Sequence, residues 1–251
     1  MTKQYVVILI FLISLNCIAQ DLKSELGIIS GLTSMQTDYG ERGHFGSSYA
    51  NIGFGVGGVY YLSFDNIRNR WNDKTTNFKD HIRLRVELSY MQTNLIHRGK
   101  YTQGTRPFTK LYNAMKGKAQ IINYGLQFEY TVFNISDQRT FNPYLSMGFL
   151  GNRNIPKLES TLGDINTNPS LIPSIYNNRT YLNGNNSTAI ILGIGARIRP
   201  KGYNKKAIYL IDFRWQRFNS DKIEGLTPQI NANKYNDWLL FISLGYIFNL
   251  N

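Results

Sequence analysis

The stretch His81 to Tyr90, HIRLRVELSY, alternates without interruption. Ile82, Leu84, Val86, Leu88 and Tyr90 fall on one side of an extended chain, and Arg83, Arg85, Glu87 and Ser89 fall on the other. No other feature limits the fold so narrowly, because the same period of two recurs along the chain. In Asn51 to Phe64, Ile52, Phe54, Val56, Tyr60, Leu62 and Phe64 oppose Gly53, Gly55, Gly57 and Ser63. In Gln120 to Val132, Ile122, Tyr124, Leu126, Phe128, Tyr130 and Val132 oppose Asn123, Gly125, Gln127, Glu129 and Thr131. Ala189 to Arg199 sets Ile190, Leu192, Ile194, Ala196 and Ile198 against Gly193, Gly195, Arg197 and Arg199. Tyr209, Ile211, Phe213 and Trp215 oppose Asp212, Arg214 and Gln216, and the last segment, Trp238 to Leu250, sets Leu240, Ile242, Leu244, Tyr246 and Phe248 against Ser243, Gly245 and Asn249. With weaker segments at Glu25 to Met35 and Pro143 to Leu150, the set numbers about eight strands. No window of comparable strength has helical period, and the seven prolines lie in loops or at strand ends, so the chain reads as all-β.

A water-soluble sandwich would hide the apolar faces between two sheets and show the charged faces to water, whereas a membrane barrel turns them the other way. The polar faces decide between the two. They mix Arg83, Arg85, Arg197, Arg199 and Arg214 with Glu87, Glu129 and Asp212, among many glycines. A sandwich exterior has no use for glycine, which weakens a strand by roughly 0.5–1 kcal/mol relative to alanine. A closed barrel of about eight strands barely accommodates side chains, so small residues must make room there for the long ones. Connections agree. Long segments at Gln36 to Ala50, His97 to Lys118, Asn152 to Ser187 and Asn219 to Asp237 alternate with turns at Asp65 to Asp80, Asn134 to Asn142 and Lys201 to Lys206, although Asp65 to Asp80 is long for a turn. The expectation is a closed, antiparallel, up-and-down transmembrane β-barrel, with lipid-facing Ile82 to Tyr90, a lumen charge network of Arg83, Arg85, Glu87, Glu129, Arg197, Arg199, Asp212 and Arg214, and four mobile surface loops. Tyr60, Phe64, Tyr90, Tyr130, Trp215, Tyr246 and Phe248 are placed as interfacial girdles.

The N-terminus fits export. Lys3 precedes an apolar run, Tyr5 to Leu15, too short for a spanning helix of ~20 residues, and small residues at Cys17 and Ala19 suit cleavage after Ala19. Residues 1–19 then form a signal peptide and residues 20–251 the barrel domain, destined for an outer membrane. Lipidation of Cys17 is the alternative, with Ser-Leu-Asn before it fitting poorly. Cleavage removes the only cysteine, which excludes disulfide, thiol and Cys-metal chemistry from the exported chain. A net charge of +12 raises nucleic acid as a partner. Export and the lack of a dense Lys/Arg block argue instead for lipid phosphates at a cell surface as the counter-charge.

Two resemblances sharpen this. The C-terminal run Ser243 to Leu250, with Ser243, Gly245, Phe248 and Leu250 at the marked positions, resembles the terminal-strand signal of outer-membrane proteins, which implies recognition by a barrel-assembly machinery. Ser24 to Phe45, SELGIISGLTSMQTDYGERGHF, followed by NIGFGVGGVYYLSF, resembles the N-terminal half of small outer-membrane barrels typical of Bacteroidota, carried by Glu25, Gly27, Asp38, Tyr39 and Gly40. Those barrels include the type IX secretion component PorG and groups without assigned activity. The resemblance therefore implies a barrel with either an accessory secretion role or a structural one.

Enzymatic chemistry finds little material. His44 and His97 fall in surface loops with Ser47, Ser48 or Asp237 as conceivable partners, and three histidines in all, His81 included, are thin provision for zinc. The glycines of Gly53 to Gly58 sit in an alternating strand with no G-K-[ST] after them, and Asp38 to Gly43 has the composition of a tight turn as much as of a cation loop. The expected function is a non-enzymatic integral membrane component without cofactor, structural or partner-binding. Its partner surfaces would be the long loops or Arg68, Arg70, Trp71 and Lys74 of the long turn. Alternatives are a secretion accessory with a periplasmic partner, a weak anion pore, and a lipid-modifying enzyme.

Overall fold

The computed structural model describes residues 23–40, 45–64, 78–137, 139–176, 183–200, 207–226 and 236–250. The signal peptide, residues 65–77 of the long turn and the turn 201–206 lie outside them. Among the described residues nine strands form: β1 (Lys23–Gln36), β2 (Ile52–Ser63), β3 (Ile82–Ile96), β4 (Met115–Thr131), β5 (Phe141–Asn154), the short β6 (Lys157–Ser160), β7 (Asn185–Ile198), β8 (Ala207–Phe218) and β9 (Trp238–Asn249). Eight of them run β3-β2-β1-β9-β8-β7-β5-β4, all neighbours antiparallel, and β3 pairs with β4 to close the cylinder. β6 is a short flap on the loop-side end of β4, from Met115↔Ser160 to Lys118↔Lys157. The chain is a closed eight-stranded antiparallel β-barrel, the architecture the alternation predicts.

The faces fall as predicted. Leu32, Leu88, Leu244 and Phe149 point outward with 63–71% of their surface exposed, while Arg85 and Arg214 are wholly buried in the lumen. Outward apolar side chains run around the wall from Leu26, Ile28 and Leu32 on β1 to Ile242 and Leu244 on β9, with no second sheet over them among the described residues. A contiguous apolar surface of this extent calls for an apolar solvent. Its turn-side edge carries rings in contact: Tyr209 meets Tyr246 edge-on at 5.6 Å, Tyr246 meets Phe248 edge-on at 4.5 Å, and Tyr130 stacks on His81 at 5.3 Å. At the loop-side edge the Tyr90 hydroxyl meets Gln92 at 3.1 Å and Gln120 at 2.7 Å. An amphipathic ring at the edge of the apolar zone suits a lipid–water boundary.

Close packing explains the inward glycines. A Cβ on Gly53 would lie 1.8 Å from the Gln92 carbonyl oxygen, and one on Gly31 would lie 1.9 Å from that of Ile242. These strands approach each other more closely than any other residue would allow.

Three expectations need correction. His97 to Lys118 is not an irregular loop: it contains helix α2 (Pro107–Ala114), which follows the six-residue α1 (Phe45–Ala50), and it already belongs to β4 from Met115 onward. Pro107 opens α2 with a pre-set φ, and Tyr112 and Ala114 are buried by it. With two turns of helix, the spacing Phe108, Leu111, Tyr112 is too brief for the period to stand out. Asn152 to Ser187 likewise begins as strand β5, contains β6 and ends in β7. Finally, the described parts of the long loops do not stand free. Leu95, Tyr112, Met115, Leu158, Ile165, Ile172, Tyr176, Ile223 and Leu226 continue the barrel's core outward as an apolar cap.

The β4 extension escaped the sequence because of a change of face that β3 shares. Along β3 and β4 the apolar side changes: below Tyr90 and Ile122 it faces out, whereas beyond them Met91, Leu95, Met115, Ala119 and Ile121 face in, and Gln92, Asn94, Lys116 and Lys118 face out. Lipid outside with a polar lumen gives way to water outside with an apolar core.

Candidate functional site

The lumen is built from the inward faces of all eight barrel strands, and its charged groups from β1, β3, β4, β7 and β8. Arg85 on β3 is its centre, with Nη2 2.8 Å from Glu87 Oε2 and Nη1 3.1 Å from Asp212 Oδ2 and 3.5 Å from Glu129 Oε1. Glu87 also accepts from Arg214 Nη1 at 2.6 Å, Gln127 Nε2 at 2.8 Å and Ser89 Oγ at 2.8 Å. Toward the turn side, Arg197 bridges Glu25 and Glu129, Arg83 lies 3.9 Å from Glu25, and the Arg197 guanidinium rests 4.1 Å from the centre of the Tyr61 ring. The Tyr144 hydroxyl donates to Asp212 at 2.9 Å.

The register explains the convergence: across β3 and β4 it sets long polar partners side by side at Arg83↔Glu129 and Arg85↔Gln127, while Glu87 faces Gly125 and Asp212 faces Gly195, where the missing side chain leaves room. Of the eight predicted residues, seven enter the network. Arg199 does not: it follows the end of β7, is half-buried at the turn-side mouth, and forms no ion pair among the described residues. Its phase is right, but the strand stops before it. Glu25 takes the place, missed because the first segment alternates too weakly for its faces to be assigned from the sequence. Arg83, Arg85, Arg197 and Arg214 thus face Glu25, Glu87, Glu129 and Asp212, four charges of each sign. Toward the loops, Asn123, Asn152 and Gln216 form an amide layer, and Met91, Ile121, Leu239 and Phe241 then fill the bore.

The cap holds the remaining titratable groups. His97, just past β3, stacks on Tyr39 at 4.5 Å, meets Tyr112 edge-on at 4.9 Å, and lies 6.0 Å from Tyr176. Its Nδ1 accepts from the Gly40 N–H at 3.3 Å, which Gly40 presents from a left-handed conformation at φ 103°. Burial pushes the imidazole down to about 3, so it is neutral. It therefore holds no loop-exposed base position. Asp237, its conceivable partner, instead accepts from the Ile223 N–H at 3.2 Å. His44 and the side chains of Ser47 and Ser48 lie outside the described residues. Glu224, buried, accepts from the Asp38 N–H at 3.2 Å, and burial together with the nearby Asp237 and Asp38 carboxylates raises its pKa well above the ordinary range. Among the described residues no group of three or more His, Cys, Asp and Glu is placed to hold a metal ion.

The terminal-strand residues occupy the closing seam. β9 pairs with β1 from Glu25↔Asn249 to Gln36↔Trp238, and the Leu250 N–H donates to the Ser24 carbonyl at 3.1 Å. Ser243 and Gly245 face the lumen, and Phe248 and Leu250 are exposed.

No protein-family model matches the chain, and no curated protein matches it. Among solved structures it is similar to Neisserial surface protein A (12% identity, 90% of this chain and 97% of that one, TM-score 0.44). It is also similar to a major outer membrane protein from Thermus thermophilus (11% identity, 91% and 99%, TM-score 0.45) and to the outer membrane protein OprG from Pseudomonas aeruginosa (12% identity, 90% and 94%, TM-score 0.38). The barrel itself is defined by this chain's own closed ladders.

Proposed function

We propose that this chain is an integral outer-membrane β-barrel whose role is structural or partner-binding, with no catalytic chemistry of its own. The observation that carries the reading is the inversion of the cylinder: an apolar wall exposed on every side, around a bore filled by a neutral ionic network and then by packed apolar side chains. A bore so filled favours a sealed plug over the anion pore. His97, enclosed by tyrosines and pushed down to about 3 by burial, is too weakly basic and too enclosed to serve a lipid-modifying reaction. An accessory part in a type IX-like secretion pathway rests on the resemblance carried by Glu25, Gly27, Asp38, Tyr39 and Gly40. The cap is the firm surface that a partner on the loop side would meet, whereas a periplasmic partner would meet the turn side.

The test is membrane insertion. Full-length protein refolded into vesicles containing acyl-chain-brominated lipid is expected to show quenched tryptophan emission and a folded band that shifts on boiling. A monodisperse folded protein that stays in detergent-free buffer would overturn the reading. Affinity purification from mild detergent then looks for a stoichiometric partner, and deletion of the gene tests cargo export and lipid composition.

A further inference from the structure

Above the apolar wall, the outer surface of the β4–β5–β6 region carries a group of cations. Lys116 and Lys118 point outward from β4, because Met115, Gly117 and Ala119 face the core. Lys157 and Glu159 point outward from β6, because Leu158 is buried. In the β4–β6 ladder Lys118 stands directly opposite Lys157, and Lys116 opposite Glu159. Like charges directly opposed on neighbouring strands repel one another unless an anion lies between them. Arg153 on β5, exposed, adds a fourth outward cation. It sits opposite Ile122, at the upper limit of the apolar wall, and Asn186 holds its guanidinium at 3.2 Å. Arg153 precedes Lys157 by four positions, and Lys118 precedes Ile122 by four, so the cations occupy a zone about 13 Å tall starting where lipid contact ends. Directly below lie Tyr124, Leu126 and Phe149, each with at least half of its surface exposed.

From this juxtaposition we infer that Lys118, Lys157 and Arg153 form a binding site for the phosphorylated headgroup of an outer-leaflet glycolipid, whose acyl chains lie on the apolar wall beneath. The inference rests on the membrane reading above. Charge complementarity identifies the headgroup: the outer face carries four cations and a single carboxylate, Glu159, which stands opposite Lys116 and leaves Lys118, Lys157 and Arg153 to a polyanion. Continuity with the wall identifies a lipid as its source, since a soluble anion would gain nothing from the placement of Arg153 at the apolar edge. The guanidinium is suited to a phosphate oxygen pair, and the two ammonium groups to a second phosphate.

The test uses the full-length protein in mixed micelles with a fluorescent diphosphorylated lipid A. The Lys118→Gln/Arg153→Gln/Lys157→Gln variant is expected to bind it about tenfold or more weakly than wild type, each lost cation contributing a severalfold share. The dephosphorylated lipid is expected to bind wild type as weakly as that variant binds the phosphorylated one. A charge-matched variant at the opposite end, Lys23→Gln/Lys79→Gln/Arg139→Gln, is expected to bind like wild type. Equal binding by wild type and the loop-side variant overturns the site, as does equal loss in the turn-side variant. A deacylated diphosphoryl disaccharide that binds as tightly as the lipid overturns the lipid source. Vesicle insertion is measured on the same samples, so a protein that inserts but ignores phosphate refutes only this inference, and one that does not insert refutes the membrane reading.

Discussion

Replacing Glu87 by Gln removes one charge from the middle of the lumen while preserving its volume. In the native barrel this carboxylate accepts from Arg85, Arg214, Gln127 and Ser89, all within 2.6–2.8 Å. Two of those donors are guanidinium groups aimed at the same oxygen, Oε2. All three nitrogen donors aim at Oε2, so a glutamine oxygen placed there keeps them, and its NH2 takes the Oε1 position, where the Ser89 hydroxyl turns to accept. No donor is orphaned, but two charge-assisted hydrogen bonds of about 1.5–3 kcal/mol each become bonds to a neutral oxygen of about 0.5–1.5 kcal/mol, a loss of about 2–3 kcal/mol for the two. The lumen then holds four arginines against three carboxylates, with Arg85, Glu87 and Arg214 all excluded from solvent, so screening gives little relief. An uncompensated buried charge of this kind costs about 3–5 kcal/mol. The two routes meet at about 3 kcal/mol, the loss expected for Glu87→Gln. The measurement is reversible urea unfolding in lipid vesicles followed by tryptophan emission, with the midpoint falling at an unchanged m-value. Arg214→Met in the same chain restores neutrality at three charges of each sign and is expected to return more than half of the loss. A Glu87→Gln barrel within about 1 kcal/mol of wild type would refute the reasoning, because it would mean that water, not the facing carboxylate, solvates Arg85 and Arg214.

Planar bilayers carrying the wild-type barrel are expected to show no resolved channel events at either polarity, since charged, amide and apolar layers fill the bore in succession. Gly53→Ala is expected to abolish refolding on a heat-shift gel, its Cβ meeting backbone at 1.8 Å, while Gly58→Ala, with open space around it, is expected to fold like wild type. The cap is expected to show opposed pH responses in amide exchange at residues 97 and 223–226. His97 is pushed down to about 3, so its neutral-state stabilisation is complete above the unfolded value near 6.5 and falls as pH drops from there toward 3; His97→Gln removes that loss. Glu224 is raised, so stability is full below 4.5 and declines as pH climbs toward its folded value; Glu224→Gln flattens that decline.

The barrel was legible because lipid and lumen impose opposite demands on alternate residues, and eight segments obey both. In β3 and β4 every face assignment made from Ile82 to Tyr90 and from Ile122 to Tyr130 matches the register. Partners were not legible. Nothing in the spacing of Arg85, Asp212 and Glu129 says that they meet, because contacts across a barrel depend on the stagger of strands far apart in sequence. Arg199 shows the same limit from the other direction: its parity is that of a lumen residue, yet it lies past the last strand pair of β7, with its N–H donating to the Thr140 carbonyl at 2.7 Å and its side chain in no ion pair among the described residues. The cap was hidden by a different mechanism. Tyr39, His97, Tyr112 and Tyr176 come from three connections without periodicity, and only the folded barrel brings them together.

The ionic lumen has a further consequence for register. Replacing buried ion pairs by apolar side chains of similar volume is often neutral for stability, so stabilisation alone does not account for eight charges in so small a bore. Strand slippage does. A one-residue slip of β3 would carry Arg83, Arg85 and Glu87 from the lumen to the wall, and each arginine moved to the lipid midplane costs roughly 2–4 kcal/mol. The apolar wall does not discriminate so sharply, since Val59, Ile29 or Ile191 would be as content in lipid as in the bore. Charges placed on β1, β3, β4, β7 and β8 therefore fix where each of those strands sits against its neighbours. The seam between β1 and β9 has fewer, with Glu25 on one side and Ser243, Gly245 and Ile247 on the other. Register there depends on close approach at Gly31, whose missing side chain lets the Ile242 carbonyl in, and on the last hydrogen bond from Leu250 to Ser24. The strand that carries the terminal residues Ser243, Gly245, Phe248 and Leu250 is thus the one whose placement the ionic network specifies least.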